Sequence, residues 1–313
     1  MDNKTVDVII PVYKPGREFY QLIDRLKKQT ILPGHIFILQ TLAEGDNLLE
    51  FSRGRSDRVN IEVCPVRKTE FDHGATRDRG AKKSQADYIL FMTQDALPAD
   101  NKLIERLLQG FSGEKIGISY GRQLAREGAD VLEKMARLHN YPAEGRVQRK
   151  SDVDMLGIKT YFCSDVCAMY DRALYEKLGG FVHPTIFNED MIMAFHVVQA
   201  GYGVCYAADA RVYHSHSYTC MQQFHRNFDL GVSQTQYLQV FEQISSEKEG
   251  AGFAKNTIIA LCKRLRFVKA IYFALNCAFR LAGYKLGRNY HKLPRKLILK
   301  CTMSPDYWRD YRG

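Results

Sequence analysis

Short apolar runs alternate with segments of helical periodicity along the first half of the chain. Each apolar run has five to seven residues, which is the usual length of a strand that is buried on both faces. Strands that alternate with helices form βαβ units, in which helices cover both faces of a mostly parallel sheet. The predicted strands are Val6–Val12, His35–Gln40, Ile61–Val66, Tyr88–Thr93 and Ile116–Tyr120, and the predicted helices are Phe19–Gln29, Thr76–Gln85 and Asn101–Gln109.

The second half of the chain has a less regular pattern. In its last part, basic residues are interleaved with Leu, Ile and Phe at helical spacing. We therefore predict an α/β body over residues 1–250 and a basic, amphipathic helical extension over residues 251–313. The predicted strands of this half are Thr160–Asp171, Val204–Ala207 and Arg211–His214, and its predicted helices are Ala173–Leu178, Glu189–Ala200, Met221–Gln243, Lys255–Arg280 and Leu286–Cys301.

The positive charge of the protein is concentrated in this extension. The 313 residues carry a net charge of +10, yet fourteen basic and two acidic residues follow from Phe253 onward, which gives +12 for that part alone. Such asymmetry indicates a polyanionic partner, either nucleic acid or anionic lipid. The interleaved apolar residues favour a membrane surface, so we expect no nucleic-acid partner.

The composition and the cysteines place the protein in a broad class. Apolar residues make up 45% of the chain and charged residues 26%, which excludes a disordered or low-complexity chain. Eight scattered cysteines without a CxxC pair are typical of free thiols in a reducing compartment. The polar start resembles no signal peptide, and no apolar run reaches the roughly 18 residues of a membrane span. We therefore predict a cytoplasmic protein that associates peripherally with the inner face of the membrane.

Polar residues follow several predicted strands at their carboxyl ends, where α/β sheets bind ligands. Tyr13, Thr41 and Asp95 each lie at or just after such an end, and the region around Asp72 follows a third strand. An aspartate in the position of Asp95 is well placed to bind a divalent cation, Mg²⁺ or Mn²⁺, through its oxygens. The alternative is that Asp95 caps the next helix.

Two further segments combine charge with a predicted helix start. Phe71–Gly80 begins with a polar stretch and carries Arg77 and Arg79, which suits a phosphate-bearing ligand, although a solvated basic helix face is the alternative. Asn188 precedes the adjacent acids Glu189 and Asp190. These acids can cap the helix, but one of them can also serve as a general base for a hydroxyl nucleophile.

Two histidines follow the last predicted strand. His214 and His216 are spaced i, i+2, so their imidazoles point to the same side of an extended segment. Two histidines could supply one metal ligand beside Asp95 but hardly a complete zinc site. Taken alone, each histidine is better explained by a structural role, and it is the combination with Asp95 that points to a function.

In this order, the motifs resemble those of inverting glycosyltransferases of family 2, which have the GT-A fold. The resemblance covers residues 5 to about 220 and includes Val8–Tyr13, Thr93–Ala96, Leu178–Phe181 and Asn188–Asp190. A closer similarity is to bacterial rhamnosyltransferases, and the segments that carry it are Phe71–Arg77, Thr93–Ala96, Tyr213–Tyr218 and Gly287–Pro294.

The resemblance implies a GT-A (Rossmann-like) fold and a role for each motif. Asp190 would be the base, with Glu189 orienting it. Thr93 stands where the family has the first acid of its DxD motif, so binding of Mg²⁺ or Mn²⁺ would depend on Asp95 with His214 or His216. The donor-binding residues would be Pro11, Tyr13 and Thr41 for the nucleoside, Asp72 for base or ribose, Arg77 for the diphosphate, and Gln94 beside Asp95.

The implied reaction transfers L-rhamnose from dTDP-L-rhamnose to a glycan or a lipid-linked glycan, with inversion, in cell-surface polysaccharide synthesis. Alternatives are the same fold with a UDP-hexose or UDP-galactofuranose donor, and a non-catalytic nucleic-acid-binding protein. A nucleotidyltransferase is a weaker alternative because Val6–Gly16 has no Gly-rich loop. The acceptor, the linkage position and the oligomeric state stay open.

Overall fold

A computed structural model describes residues 4–51, 58–216, 218–241, 246–309 and 311. Ser217 of the predicted histidine motif and the charged residues Asp310 and Arg312 of the predicted extension lie outside these ranges. Within them, the helices include none with the length and apolar character needed to span a bilayer.

Nine strands in the described ranges form one sheet in the order β3-β2-β1-β4-β8-β6-β9-β5, with β7 paired to β9. Six strands run in one direction, while β5, β7 and β8 run in the opposite one. The strands are β1 Val6–Tyr13, β2 His35–Leu42, β3 Asn60–Arg67, β4 Tyr88–Met92, β5 Leu97–Pro98, β6 Ile116–Leu124, β7 Arg146–Gln148, β8 Cys167–Asp171 and β9 Gly203–Tyr213.

The α-helices of the described ranges occur between the strands and, after β9, in succession. They are α1 Arg17–Leu26, α2 His73–Ala81, α3 Leu103–Gln109, α4 Val131–Asn140, α5 Val153–Leu156, α6 Arg172–Lys177, α7 Glu189–Gln199, α8 Cys220–Gln236, α9 Leu238–Phe241, α10 Ser246–Lys263, α11 Phe267–Arg288 and α12 Arg295–Cys301.

The alternation along β1 shows why helices cover both faces of the sheet. The even-numbered residues of β1 lie in one apolar cluster with residues of α1 and α3. The odd-numbered Ile9 faces α2 instead, and a Cβ added to Gly80 would lie 2.6 Å from its Cγ2 atom. Glycine thus permits α2 to approach the sheet closely. The predicted α/β class with a mostly parallel, doubly covered sheet is confirmed.

Several element bounds differ from those predicted. In the predicted strand Thr160–Asp171, only Cys167–Asp171 is a strand, because residues 157–161 form a 3₁₀ helix. The two strands predicted between residues 204 and 214 are one strand, since burial still alternates through Ala208, Asp209 and Ala210. The predicted helix Lys255–Arg280 is interrupted because Leu265 has φ of 55°, in the left-handed region that ends helices.

The chain divides into two compact units. The first comprises residues 1–127, 140–184 and 189–215 and contains the sheet; the second comprises residues 128–139, 185–188 and 216–313. In the second unit, α8 and α11 pack closely at glycines: a Cβ on Gly283 would lie 2.2 Å from the carbonyl oxygen of Phe224. The predicted division into 1–250 and 251–313 stays a prediction.

Candidate active site

The adjacent acids Glu189 and Asp190 form the first turn of α7. Asn188, which precedes them, has φ of 67°, a left-handed conformation that asparagine tolerates better than most residues. Carboxylates in the first turn are stabilised by the positive end of the helix dipole. The Glu189 side chain is buried, whereas Asp190 stays partly exposed.

Arg77 connects α2 to these acids. Its Nη1 atom lies 3.1 Å from Oε1 of Glu189, and its Nε atom lies 3.4 Å from Oδ2 of Asp165. The guanidinium is only 7% exposed, so both ion pairs are shielded from water. The position of α2 is fixed locally by Asp72, whose carboxylate accepts a hydrogen bond of 2.8 Å from the Ala75 N–H at the helix start.

Asp165 is the member of this cluster that the sequence reasoning missed. Its Oδ1 accepts a 2.7 Å hydrogen bond from the hydroxyl of Tyr170, a residue of β8. Its own backbone N–H donates to Oδ2 of Asp190 over 3.2 Å. The only signal in the sequence was an acid directly before an apolar strand, which does not reveal that Arg77 and Asp190 lie beside it.

Burial and neighbouring charges shift the pKa values of two acids in this cluster. Arg77 is ion-paired with Glu189 and Asp165, and it also interacts electrostatically with Asp190. Burial and the negative charge of Glu189 raise the pKa of Asp190 to about 7. Burial raises the pKa of Asp165 well above its ordinary value, and Arg77 opposes this only in part. With a pKa of about 7, Asp190 can exchange a proton near neutral pH.

A second group of polar residues lies beyond the carboxyl end of β4. Asp95 follows β4, and its Oδ2 atom is 3.4 Å from Nε2 of His214, the residue after β9. His214 is buried and Asp95 is 22% exposed. The turn that carries Asp95 is held by Arg126, whose Nη2 donates to the Asp95 carbonyl oxygen over 2.8 Å.

Gln123 determines the tautomer of His214, and so determines whether the nitrogen that faces Asp95 is an acceptor. The Gln123 amide nitrogen contacts the hydroxyls of Tyr141 and Ser164, so its carbonyl oxygen faces Nδ1 of His214 at 2.9 Å. An Nδ1–H donor leaves the Nε2 lone pair directed at the Asp95 carboxylate. The Asp95 carboxylate oxygen and Nε2 of His214 are both acceptors, and at 3.4 Å apart they suit a shared divalent cation. At metal sites the other ring nitrogen of a ligating histidine usually donates a hydrogen bond to a neighbouring acceptor, as Nδ1 does here to Gln123. These residues therefore fit a divalent cation.

The residues predicted to bind the nucleoside lie at the ends of β1 and β2. Tyr13 and Thr41 are register partners there. The Thr41 hydroxyl oxygen is buried without a hydrogen-bond partner in the described part of the chain, which makes it available to a ligand. Gln94 joins the end of β1 to the turn after β4, since its amide accepts from the Tyr13 N–H at 2.8 Å and donates to the Tyr13 carbonyl at 3.1 Å.

Charge and an aromatic ring lie together at the same edge. The Tyr13 ring is exposed, and the ammonium groups of Lys14 and Lys68 lie 5.5 and 5.9 Å from its centre. Pro11, two residues earlier in β1, is partly buried beside Leu39 of β2. The edge thus combines a flat ring, positive charge and an unsatisfied hydroxyl.

The structure brings the predicted residues together in three places. Asp190 and Glu189 lie with Arg77, while Asp95 lies with His214, and Tyr13, Thr41, Pro11 and Gln94 share the sheet edge. Arg77, predicted to contact the diphosphate, has two carboxylate partners instead, and Asp72 caps α2. His216 belongs to the second unit, where its backbone N–H donates to Glu133. The ligand roles of these residues stay predictions.

Comparison with known proteins identifies the class. Residues 7–179, which include β1 to β4 and β8, match the family described as Glycosyl transferase family 2. The chain belongs to this family and is a glycosyltransferase, as the motifs predicted.

Two curated relatives are similar over almost the whole chain. The O-antigen chain rhamnosyltransferase RfbN of Salmonella typhimurium is 37% identical over 97% of this chain and 96% of its own length. The O-antigen chain rhamnosyltransferase WbaN of Salmonella anatum is 34% identical over 97% of this chain and 95% of its own length. The predicted similarity to bacterial rhamnosyltransferases is confirmed.

A solved structure supports the fold. The mannosyltransferase PcManGT from Pyrobaculum calidifontis, in complex with GDP-Man and Mn²⁺, matches with a TM-score of 0.56 and 14% identity. The match covers 99% of this chain and 89% of that one. The predicted GT-A fold is confirmed.

Proposed function

We propose that the protein transfers L-rhamnose from dTDP-L-rhamnose to a hydroxyl of a glycan or a lipid-linked glycan, in the synthesis of a cell-surface polysaccharide. The observation that carries this proposal is the similarity to two O-antigen chain rhamnosyltransferases over 97% of the chain. This similarity extends over nearly the whole length of the chain and of both relatives.

In the proposed reaction, the configuration at the anomeric carbon inverts in a single displacement. The acceptor oxygen attacks from the face opposite the nucleotide, the bond to the diphosphate breaks, and the hydroxyl proton passes to Asp190. A base is most effective when its pKa is close to the working pH, and that of Asp190 is about 7. A single partly exposed carboxylate suits this reaction, because inversion needs one base and no nucleophile on the enzyme.

The partners of Asp190 keep it in place for this step. The Asp165 N–H and the Met191 N–H each donate to one of its oxygens, over 3.2 and 2.8 Å. Glu189 raises the pKa of Asp190, and Arg77 neutralises Glu189. We assign Arg77 a positioning role in this cluster.

The leaving diphosphate would be bound on the other side of the reacting carbon. Asp95 and His214, with His216 two residues along the chain, would hold Mg²⁺ or Mn²⁺, as the Mn²⁺ in the PcManGT complex suggests for the fold. When bound, the cation would neutralise the charge that develops on the diphosphate. Tyr13, Thr41 and Pro11 would bind the nucleoside, Gln94 would hold the Tyr13 backbone, and Asp72 would contact base or ribose.

A donor screen tests the proposal. The purified protein is incubated with dTDP-L-rhamnose, UDP-hexoses and UDP-galactofuranose, with Mn²⁺ or with EDTA, and release of the nucleoside diphosphate is measured. We expect release from dTDP-L-rhamnose at the highest rate, and a transferred sugar whose anomeric configuration is opposite to that of the donor. Preferential turnover of a UDP-sugar, or retention of configuration, would contradict the proposal.

A further inference from the structure

The outward side of α11 is apolar, although it is exposed. Its large side chains recur at helical spacing along one face, and none of the exposed residues from Phe267 to Ala282 is charged. The large members of this outer face of α11 are 38–82% exposed: Phe267, Val268, Ile271, Tyr272, Leu275 and Phe279.

The opposite side of α11 carries the contacts within the second unit. Ala270 and Phe273 are buried in a cluster with Leu261. Lys269 pairs with Asp130. A helix on a protein surface normally buries its apolar stripe, whereas α11 exposes a continuous apolar stripe.

An exposed apolar patch of this kind marks an interaction surface. The charged residues beside the outer face of α11 indicate which kind of partner binds there. Lys263, Arg264 and Arg266 are exposed directly before α11, and Lys285 is exposed towards its other end. No acidic residue occurs in the sequence from residue 251 to residue 305. A second copy of this chain would bring the same positive charges against these, whereas an anionic lipid surface would neutralise them.

We propose that the outer face of α11 binds an anionic membrane surface, with the helix lying in the plane of the interface. The large side chains enter the boundary between headgroups and acyl chains, and the basic residues at both ends contact anionic headgroups. The purpose of this contact, access to a lipid-linked acceptor, rests on the proposed function. The membrane binding itself does not involve Asp95 or the cluster of Arg77, Asp165, Glu189 and Asp190. The two proposals can therefore fail separately.

Co-sedimentation of the full chain with vesicles tests the proposal. Vesicles of phosphatidylcholine alone are compared with vesicles in which one quarter of the lipid is phosphatidylglycerol. We expect binding to the anionic vesicles, with the bound fraction falling steeply as salt increases from about 0.1 M to about 0.5 M, because screening shortens the reach of the charges. Replacing Lys263, Arg264 and Arg266 by Gln should weaken binding by about fivefold for each charge.

The apolar face is tested by Ile271→Ser with Leu275→Ser. This double variant should lower the vesicle partition coefficient by about tenfold or more, because two large apolar side chains no longer leave water. The matched control is Leu138→Ser with Met155→Ser, which removes two exposed apolar side chains outside α11 and should leave binding unchanged. Leu275→Trp is a second probe whose fluorescence should shift to the blue when anionic vesicles are added.

Three outcomes would overturn the proposal. They are absence of vesicle binding by the full chain, equal binding to neutral vesicles, and a dimer in solution that the Ile271→Ser, Leu275→Ser variant abolishes. The last would assign the face to contact between copies. Release of nucleoside diphosphate from the donor, measured without vesicles, should be the same for these variants and the parent protein, which separates this proposal from the proposed reaction.

Discussion

Two aspartates, one in each compact unit, have a pKa of about 7, and burial is the largest cause in both. Asp229 in α8 accepts hydrogen bonds from the Thr302 hydroxyl at 2.6 Å and the Met303 N–H at 2.9 Å. These bonds tie the end of α12 to α8, and Asp229 is 3% exposed. A substrate hydroxyl has no access to a carboxylate enclosed in this way.

Asp190 differs from Asp229 in its neighbours and in its exposure. A second acid, Glu189, raises its pKa further, and Asp190 as a residue is partly exposed at the start of α7. A raised pKa therefore does not identify a base. The proposal that Asp190 is the base rests on its raised pKa together with its partial exposure and its charged neighbours.

The largest expected effect is a loss of activity when Asp190, but not Asp229, is replaced. Asp190→Asn should lower kcat for glycosyl transfer by about 10²–10⁴-fold, which is the usual contribution of a positioned base. Asp229→Asn, its matched control, should keep kcat close to that of the parent protein. Steady-state transfer to an acceptor measures both. If the two variants lose activity equally, or Asp190→Asn keeps it, Asp190 only caps α7.

Loss of the proposed cation is expected to have the next largest effect. Asp95→Ala should weaken Mn²⁺-dependent binding of a nucleoside diphosphate and remove the dependence of activity on divalent cations, since it deletes an oxygen ligand. Calorimetry with Mn²⁺ present or chelated measures this, and Asp209→Ala, at an exposed aspartate of β9, is the control. Equal activity of the parent protein in EDTA and in Mn²⁺ would contradict a metal role.

Replacement of Gln123, which accepts a hydrogen bond from His214, should have a smaller effect than loss of Asp95. Gln123→Leu removes the acceptor that orients the imidazole, so affinity for Mn²⁺ should fall by about 10–100-fold. Gln123→Glu keeps an acceptor at this position and should retain most of the affinity. Unchanged Mn²⁺ affinity in Gln123→Leu would mean that the tautomer of His214 is unimportant.

Asp190 and Asp229 should make similar contributions to the pH dependence of the unfolding free energy, although they differ in their effect on activity. For both, the folded-state pKa lies above the ordinary value of 3.8, so each contributes stability that is present below about pH 4 and is lost as the pH rises through about 7. Removing either carboxylate should reduce the pH dependence of the unfolding free energy by at most about 1.4 kcal/mol per pH unit.

Urea denaturation at pH 5 and pH 8 measures this slope for the parent protein, Asp190→Asn and Asp229→Asn. A slope that neither substitution changes would mean that neither aspartate is protonated near neutral pH.

Asp165→Asn should have the smallest effect on activity. Burial raises the pKa of Asp165 well above its ordinary value, so a neutral amide of the same shape should be tolerated at this position. An amide preserves the acceptor for Tyr170 and leaves the backbone N–H that holds Asp190. Parent-like kcat is the expected result, and a loss as large as that of Asp190→Asn would make Asp165 the proton acceptor instead.

The sequence predicted where several candidate residues lie in the fold, because strand ends and helix starts follow local rules. Tyr13 and Thr41 do end strands, Asp95 follows one, and Glu189 and Asp190 do begin a helix, while their roles stay predictions. The extension was predicted to be helical and basic, and α10, α11 and α12 are helices.

Contacts between distant elements were not accessible from local patterns. Asp165 and Gln123 are 25 and 91 positions from the residues they orient, and their polar side chains resemble many others in the sequence. The basic helix start predicts a phosphate contact for Arg77, but it does not reveal the two carboxylates that tertiary packing places against this side chain. The apolar outer face of α11 also needed the structure, since periodicity alone does not reveal which side of an amphipathic helix is packed.

The pH dependence of kcat/KM tests the central claim, that Asp190 accepts the proton, most directly. For the parent protein we expect kcat/KM to rise about tenfold per pH unit below pH 7 and to level off above it, as for a single base in the free enzyme. This rise should disappear in Asp190→Asn and persist in Asp229→Asn. A profile of the parent that is flat through pH 7, or a rise that persists in Asp190→Asn, would contradict the account.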